Sequence, residues 1–184
     1  ELILKAVVLG IVEGVTEFLP ISSTGHLIIV NRFINLSGDF AKMFDVVIQL
    51  GAICSVIVYF WKRLNPFSSG LDIAGKKEIW MTWIKAIVGV SPALVLGAAF
   101  GDMVETYLFN PLTVAIALMA GGLLLIVIER KNRAGVVTSI SALRFGTVIG
   151  IGLFQCLAMV PGTSRAAATI IGAMLLGASR TVAA

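Results

Sequence analysis

The sequence predicts an all-α polytopic membrane protein, and three observations lead to that class. Hydrophobic residues make up 58% of the 184 residues and charged residues only 13%, with a mean hydropathy of +1.01. That is more apolar surface than a soluble domain hides in one core. Three stretches are long and apolar enough to cross a bilayer. Two further apolar stretches are each interrupted at the centre by proline and hydroxyl residues.

The three uninterrupted stretches predict transmembrane helices, because roughly 20 apolar residues cross the hydrocarbon layer. Their predicted bounds are Phe40 to Trp61, Ile79 to Phe100 and Leu112 to Ile128.

Basic residues cluster after the first and third of these spans and predict the orientation of the chain. The clusters are Lys62, Arg63, Lys76 and Lys77, then Arg130, Lys131 and Arg133. Loops rich in Lys and Arg lie on the cytoplasmic side. The segment from Gly101 to Asn110 has two acidic residues and no basic one, so we expect it outside. Because the basic residues flank apolar spans, the pI of about 9.3 does not indicate nucleic-acid binding.

The two interrupted stretches, Leu2 to Leu36 and Leu143 to Ala178, predict two broken helix pairs. Aligning Pro20 with Pro161 places Ser22-Ser23 opposite Thr163-Ser164. Three spans between them would make one hairpin enter from outside and the other from the cytoplasm, as in inverted-topology repeats. We therefore expect one membrane domain, 1–184, with a first repeat at 1–128 and the start of a second at 143–184. The hairpin tips would meet near the middle of the bilayer and line a cavity.

The first tip carries ionisable groups that are costly at membrane depth and usually functional there. Glu13 and Glu17 are four residues apart, so a helix presents both carboxylates on one face. They suit a divalent cation or proton transfer. Ser23, or its neighbour Ser22, is a candidate nucleophile, and His26 can exchange a proton near neutral pH. The bland alternative is that the histidine is a hydrogen-bonded core residue and that the serines only cap a helix.

The second tip has the features of an anion site. Thr163 or Ser164 can cap a helix whose first turn contains Arg165. Free N–H groups at a helix start attract phosphate, and a guanidinium binds two phosphate oxygens at once. A snorkelling side chain near the interface is the alternative for the arginine. Gln49 and Asp45 share one face of the first span and are candidates to line the same cavity.

Three function classes remain open from these residues. A hydrolase acting on a phosphorylated lipid accounts for all the groups at both tips. A lipid-phosphate flippase or anion transporter fits an inverted-repeat fold but does not need a serine with a proton-transfer partner. An intramembrane hydrolase acting on peptide would use the serine and histidine, yet it leaves Glu13, Glu17 and Arg165 without a role.

The motifs resemble those of a known family, the bacterial undecaprenyl-diphosphate phosphatases of the BacA type associated with bacitracin resistance. The first motif runs from Glu13 to His26, a second lies between Val46 and Gly51, and the third is Pro161-Gly-Thr-Ser-Arg. The resemblance extends over the whole chain. The family pattern has a serine where this chain has Ala166, which argues against an essential hydroxyl there, while Thr169 matches.

The resemblance implies hydrolysis of undecaprenyl diphosphate to the monophosphate carrier lipid that peptidoglycan synthesis recycles. It implies a multi-pass protein of the bacterial plasma membrane with its site open to the periplasm or outside, a divalent cation, Mg²⁺ or Ca²⁺, and in some members a homodimer. By position, the implied catalytic residues are Ser23, His26, Glu13, Glu17 and Arg165, with the two glutamates as metal ligands. Expected substrate-binding residues are Ser22, Thr24, Gln49, Thr163, Ser164 and Thr169. Family members continue beyond Ala184, so we expect about three further helices of the second repeat to be missing here.

Overall fold

The computed structural model describes residues 1–130 and 135–184, and helices dominate both parts. The predicted basic residues Lys131 and Arg133 lie outside the described residues. The helices are α1 (Leu2–Thr16), α2 (Ser23–Ile34), α3 (Asp39–Tyr59), α4 (Trp61–Leu64), α5 (Ile73–Leu108), α6 (Pro111–Arg130), α7 (Phe145–Gln155), α8 (Arg165–Leu175) and α9 (Arg180–Ala183). A 3₁₀ turn, Cys156–Met159, extends α7.

Two helices in the described part of the chain are long and apolar enough to cross a membrane, α5 and α6. The apolar part of α3, Met43–Tyr59, is shorter, so the prediction of three spans is confirmed for two of them. Large apolar side chains are exposed along nearly every helix. Such extensive exposed apolar surface is typical of contact with lipid.

The helix that contains the predicted second span extends beyond it at both ends. Helix α5 has 36 residues, about 54 Å of helix, and therefore extends well beyond a hydrocarbon layer of about 30 Å. Its start is stabilised by Asp72, whose Oδ1 accepts a hydrogen bond from the Gly75 amide at 2.8 Å. Lys76 and Lys77 consequently lie in the helix rather than in a loop, and residues 101–108 are helical too. Hydropathy marks only the part of a helix that suits hydrocarbon, so it misses polar helical ends.

Both interrupted stretches form two helices joined by a short turn, as predicted. Helices α1 and α2 pack against each other, and α1 also packs on α3. Their shared core contains Leu9, Leu27, Leu36 and Ala41. In the second pair, α7 packs between α5 and α8.

Close helix contacts hold the second pair in place. At Gly152 of α7 an added Cβ would lie 2.1 Å from the Gly89 carbonyl oxygen of α5, so only glycine permits this approach. The buried Lys85 of α5 donates from Nζ to the carbonyl oxygens of Ile140 and Ser141, at 2.9 and 2.7 Å. These bonds satisfy a buried ammonium and fix the segment that leads into α7.

The tips of the two pairs are in contact. The Ser164 hydroxyl donates a hydrogen bond to the Leu19 carbonyl oxygen over 3.5 Å. Helix α6 packs behind both tips, against α2 and α8. At Gly162, in the second tip, φ is +91° and an added Cβ would lie 2.6 Å from the Val114 carbonyl oxygen of α6. The turn therefore needs glycine for its conformation and for its fit against α6.

Candidate active site

A polar cavity of about 190 Å³ lies between the two tips. Eight of the predicted site residues line it, together with one alanine that was not predicted. The lining residues are Glu17, Ser22, Ser23, Thr24, Gln49, Ala158, Thr163, Ser164 and Arg165. The cavity thus draws on α2, α3, the 3₁₀ turn and α8, elements that are far apart in the sequence.

Glu17 connects the two tips through its carboxylate. Its Oε2 accepts a hydrogen bond from the Ser23 hydroxyl at 2.6 Å, and its Oε1 accepts one from Nη2 of Arg165 at 2.5 Å. The Glu17 side chain is only 9% exposed, whereas that of Arg165 is 49% exposed. A buried carboxylate therefore lies between a candidate nucleophile and a cation that reaches into the cavity.

Two helix N-termini point toward the same cavity. Ser22 caps α2 by accepting from the Gly25 amide at 3.4 Å, and Ser164 caps α8 by accepting from the Ala167 amide at 3.2 Å. Both capping residues line the cavity. The partial positive charge of two helix dipoles therefore acts on the same small volume, as at sites that bind phosphate.

Ser22 adopts a backbone conformation that is unusual for a residue other than glycine. Its φ is +63° and its ψ is +98°, which costs about 1–3 kcal/mol and is found more often at functional sites than elsewhere. This conformation lets α2 begin at the next residue, Ser23. It also places the buried side chains of Ser22 and Ser23 at the cavity.

Glu13 lies behind the cavity lining and is 1% exposed. Its Oε2 has no hydrogen-bond partner among the described residues. The carboxyl group is within electrostatic range of Glu17 and Asp45 and close to Ser23. A buried, unpaired carboxylate oxygen beside further oxygen donors needs a partner to offset its desolvation.

The carboxylate oxygens at this site are the kind of ligand that a hard divalent cation prefers. Among the described residues they are too few to surround such an ion by themselves. Within residues 1–130 and 135–184, no three His, Cys, Asp or Glu residues are grouped closely enough to form a metal centre by themselves. Mg²⁺, however, is commonly held by one or two carboxylates together with substrate phosphates and water. Glu13, with its unpaired oxygen, and Glu17 are the carboxylates that suit such a site.

Four residues that the sequence placed at the site do not line the cavity: Glu13, His26, Asp45 and Thr169. The His26 Nδ1 lies 2.8 Å from the Ser22 carbonyl oxygen, which can only accept, so Nδ1 carries the proton and Nε2 is the acceptor in the neutral ring. The Thr169 hydroxyl donates to carbonyl oxygens of its own helix at residues 165 and 166, both at 3.1 Å.

Two contributors to the site were missed from the sequence. Ala158 lines the cavity, and the Leu19 carbonyl oxygen accepts from Ser164. Neither a methyl group nor a main-chain carbonyl has a chemical signature in the sequence. The only available signal was their position, three residues before Pro161 and one before Pro20.

The fold and the cavity define a class of protein: a helical membrane protein in which two broken helix pairs enclose a polar site suited to an anion. The chain belongs to the bacitracin resistance protein BacA family, whose model matches residues 6–184.

Relatives within this family are half identical to the chain. It is similar to undecaprenyl-diphosphatase 1 of Oenococcus oeni, with 50% identity over 186 aligned positions that cover 99% of this chain and 67% of that protein. It is equally similar to undecaprenyl-diphosphatase 1 of Clostridioides difficile, with 50% identity covering 99% of the chain and 67% of the relative. Undecaprenyl-diphosphatase of Enterococcus faecalis is 49% identical, covering 97% and 66%. The chain spans about two thirds of the length of these relatives.

Proposed function

We propose that this chain is a membrane phosphatase that hydrolyses undecaprenyl diphosphate to undecaprenyl phosphate and inorganic phosphate, which returns the cell-wall carrier lipid to use. The observation that carries the proposal is the Glu17 carboxylate, bonded on one side to Ser23 and on the other to Arg165. Membership of the BacA family and the names of the half-identical relatives support the same activity.

The terminal phosphate is bound in the polar cavity. Arg165 supplies a planar pair of donors for two phosphate oxygens, and the starts of α2 and α8 supply oriented N–H dipoles. Ser22, Thr24, Thr163 and Ser164 add hydroxyl groups around the same volume. Phosphoryl transfer is accelerated mainly by electrostatic preorganisation. Positive groups are already in place where negative charge develops in the transition state.

Ser23 is the nucleophile in this proposal, and Glu17 is its base. The Ser23 oxygen attacks the terminal phosphorus while its proton passes to Glu17 Oε2, with which it already forms a 2.6 Å hydrogen bond. The bond from that phosphorus to the bridging oxygen breaks, and undecaprenyl phosphate leaves. Water then hydrolyses the phosphoserine, which releases phosphate and returns the proton to Ser23. In this second step the attacking water gives its proton to Nε2 of His26, because Nδ1 already donates to the Ser22 carbonyl, and Glu17 is the group that returns its proton to Ser23.

Glu13 would hold a divalent cation, Mg²⁺ or Ca²⁺, which when bound would neutralise charge on the diphosphate oxygens, while Glu17, whose two oxygens bond to Ser23 and Arg165, would serve as the proton partner. The support is the unpaired Oε2 of the buried Glu13, an oxygen that a hard cation would satisfy.

The proposed function also requires a particular orientation of the two helix pairs in the membrane. Two hairpins of opposite orientation would form inverted repeats, with the shared site open to the outer face of the bacterial plasma membrane. The basic residues near Lys62 and at Arg130 support this orientation, and the contact between the tips is what such a shared site requires.

Phosphate release tests the proposal. The purified protein in detergent is given a C55 polyprenyl diphosphate with Mg²⁺, with a chelator, and with a chelator followed by excess Ca²⁺. We expect release that the chelator abolishes and the metal restores. Transfer of the lipid between leaflets of a proteoliposome without phosphate release would contradict the proposal and identify a flippase.

A further inference from the structure

An apolar groove opens directly beside the polar cavity. It has a volume of about 370 Å³, and its wall is formed by α6, α7, α8 and the first tip, including Ile21, Leu125, Phe154 and Ile171. Three polar residues, Ser22, Thr163 and Ser164, line both the groove and the polar cavity. The two spaces therefore meet at the capping residues of α2 and α8.

The groove continues across α6. A second apolar space of about 340 Å³ lies on the other flank of this helix, and both spaces are lined by Gly121, Leu124 and Leu157. An apolar path therefore leads from the capping residues over the exposed face of α6, where a lipid-facing surface begins.

We propose that this apolar groove binds the first isoprene units of the polyprenyl tail, and the inference rests on the proposed function. The polar cavity, at about 190 Å³, is smaller than the usual 300–1,000 Å³ of a pocket for a complete small molecule, so it suits a diphosphate but not a chain. The tail attached to that diphosphate must leave the polar cavity through one of its walls. Among the described residues, the wall at Ser22, Thr163 and Ser164 is where the polar cavity adjoins the apolar groove.

Two glycines of α6 keep the groove open. Elsewhere α6 is in tight contact with the tips, since an added Cβ at Gly25 would lie 3.0 Å from Leu118 and one at Gly162 would lie 2.6 Å from Val114. At Gly121 and Gly122 an added Cβ meets nothing within 4 Å. Side chains at these two positions would extend into the groove without moving neighbouring protein atoms.

The test narrows the groove and measures selectivity for the tail. Gly121→Ala, Gly121→Val and Gly121→Leu are assayed for phosphate release from a C55 polyprenyl diphosphate and from a five-carbon prenyl diphosphate. Gly122→Leu is a second variant of the same groove. Gly97→Leu is the matched control, because Gly97 lies in α5, is half-buried and also has nothing within 4 Å of an added Cβ.

We expect the ratio of kcat/KM for the long substrate to that for the short one to fall as the side chain grows, by about tenfold or more in Gly121→Leu, and to stay unchanged in Gly97→Leu. An unchanged ratio in an active Gly121→Leu protein would overturn the inference. An equal loss on both substrates would also overturn it and assign the groove to helix packing or to a bilayer lipid. Failure of the unaltered protein to release phosphate from either substrate would instead contradict the proposed function itself.

Discussion

Loss of the Glu17–Arg165 pair should reduce activity in a coupled way, because the two side chains act as one unit across the tips. The perturbation is a double-mutant cycle of Glu17→Gln and Arg165→Gln. The amide keeps the size of each side chain but removes its charge. Gln at 17 can accept from Ser23 or from Arg165 through its one oxygen, whereas the carboxylate accepts from both.

The size of the coupling follows from the exposure of the pair. A hydrogen bond to a charged group contributes about 1.5–3 kcal/mol, while fully exposed ion pairs contribute about 0.2–1 kcal/mol. Because Glu17 is 9% and Arg165 49% exposed, we expect a coupling of about 1–2 kcal/mol. At about 1.4 kcal/mol per tenfold, the double variant should retain roughly 5- to 30-fold more kcat/KM than the product of the two single losses predicts.

The assay is phosphate release from a C55 polyprenyl diphosphate by the four proteins of the cycle. The chain offers a matched control in a second glutamate–arginine pair, Glu129 and Arg180, whose side chains are 47% and 53% exposed and lie outside the polar cavity. The same cycle there should show no coupling in activity. If the losses at Glu17 and Arg165 simply multiplied, the pair would not be a functional unit and the site geometry argued above would be wrong.

Three other substitutions test separate parts of the account. Ala166→Ser, which restores the hydroxyl of the family pattern, should change kcat/KM less than about tenfold, since hydroxyl groups already surround the cavity; a gain of several orders of magnitude would show that the hydroxyl is essential. Gly162→Ala should lower the thermal unfolding midpoint, because a left-handed φ costs an L-residue about 1–2 kcal/mol and the added Cβ meets a carbonyl of α6; Gly97→Ala, with open space, should not, and equal midpoints would refute the packing argument. In a background without native cysteines, Thr106→Cys should react with an impermeant thiol reagent from outside the cell and Ser69→Cys should not; the reverse pattern would invert the orientation.

The sequence predicted the helix starts at both tips, where chemistry and local geometry coincide. Ser22 and Ser164 were candidates because hydroxyl residues after a proline start helices, and both cap a helix in the structure. Arg165 was expected to reach the cavity because it lies in the first turn of the helix that Ser164 caps, and it occupies the first turn of α8.

What the sequence could not predict is the set of long-range contacts. The bond from Arg165 to Glu17 joins residues 148 positions apart, and no local pattern specifies it. Likewise, Glu13 and Glu17 keep their helical spacing, since the Glu17 amide donates to the Glu13 carbonyl, yet only Glu17, one turn nearer the tip, lines the cavity. The length of α5 was underestimated because its ends are polar.

The most direct test of the central claim, that the cavity between the tips performs the hydrolysis, is phosphate release by Ser23→Ala compared with Ser55→Ala. The Ser55 hydroxyl donates to the Ala52 carbonyl of its own helix at 2.7 Å and lies outside the cavity. The two variants therefore make the same chemical change, one inside the cavity and one outside it. We expect Ser23→Ala to lose about 100-fold or more in kcat with Ser55→Ala unchanged. Turnover of Ser23→Ala at the rate of the unaltered protein would contradict the account.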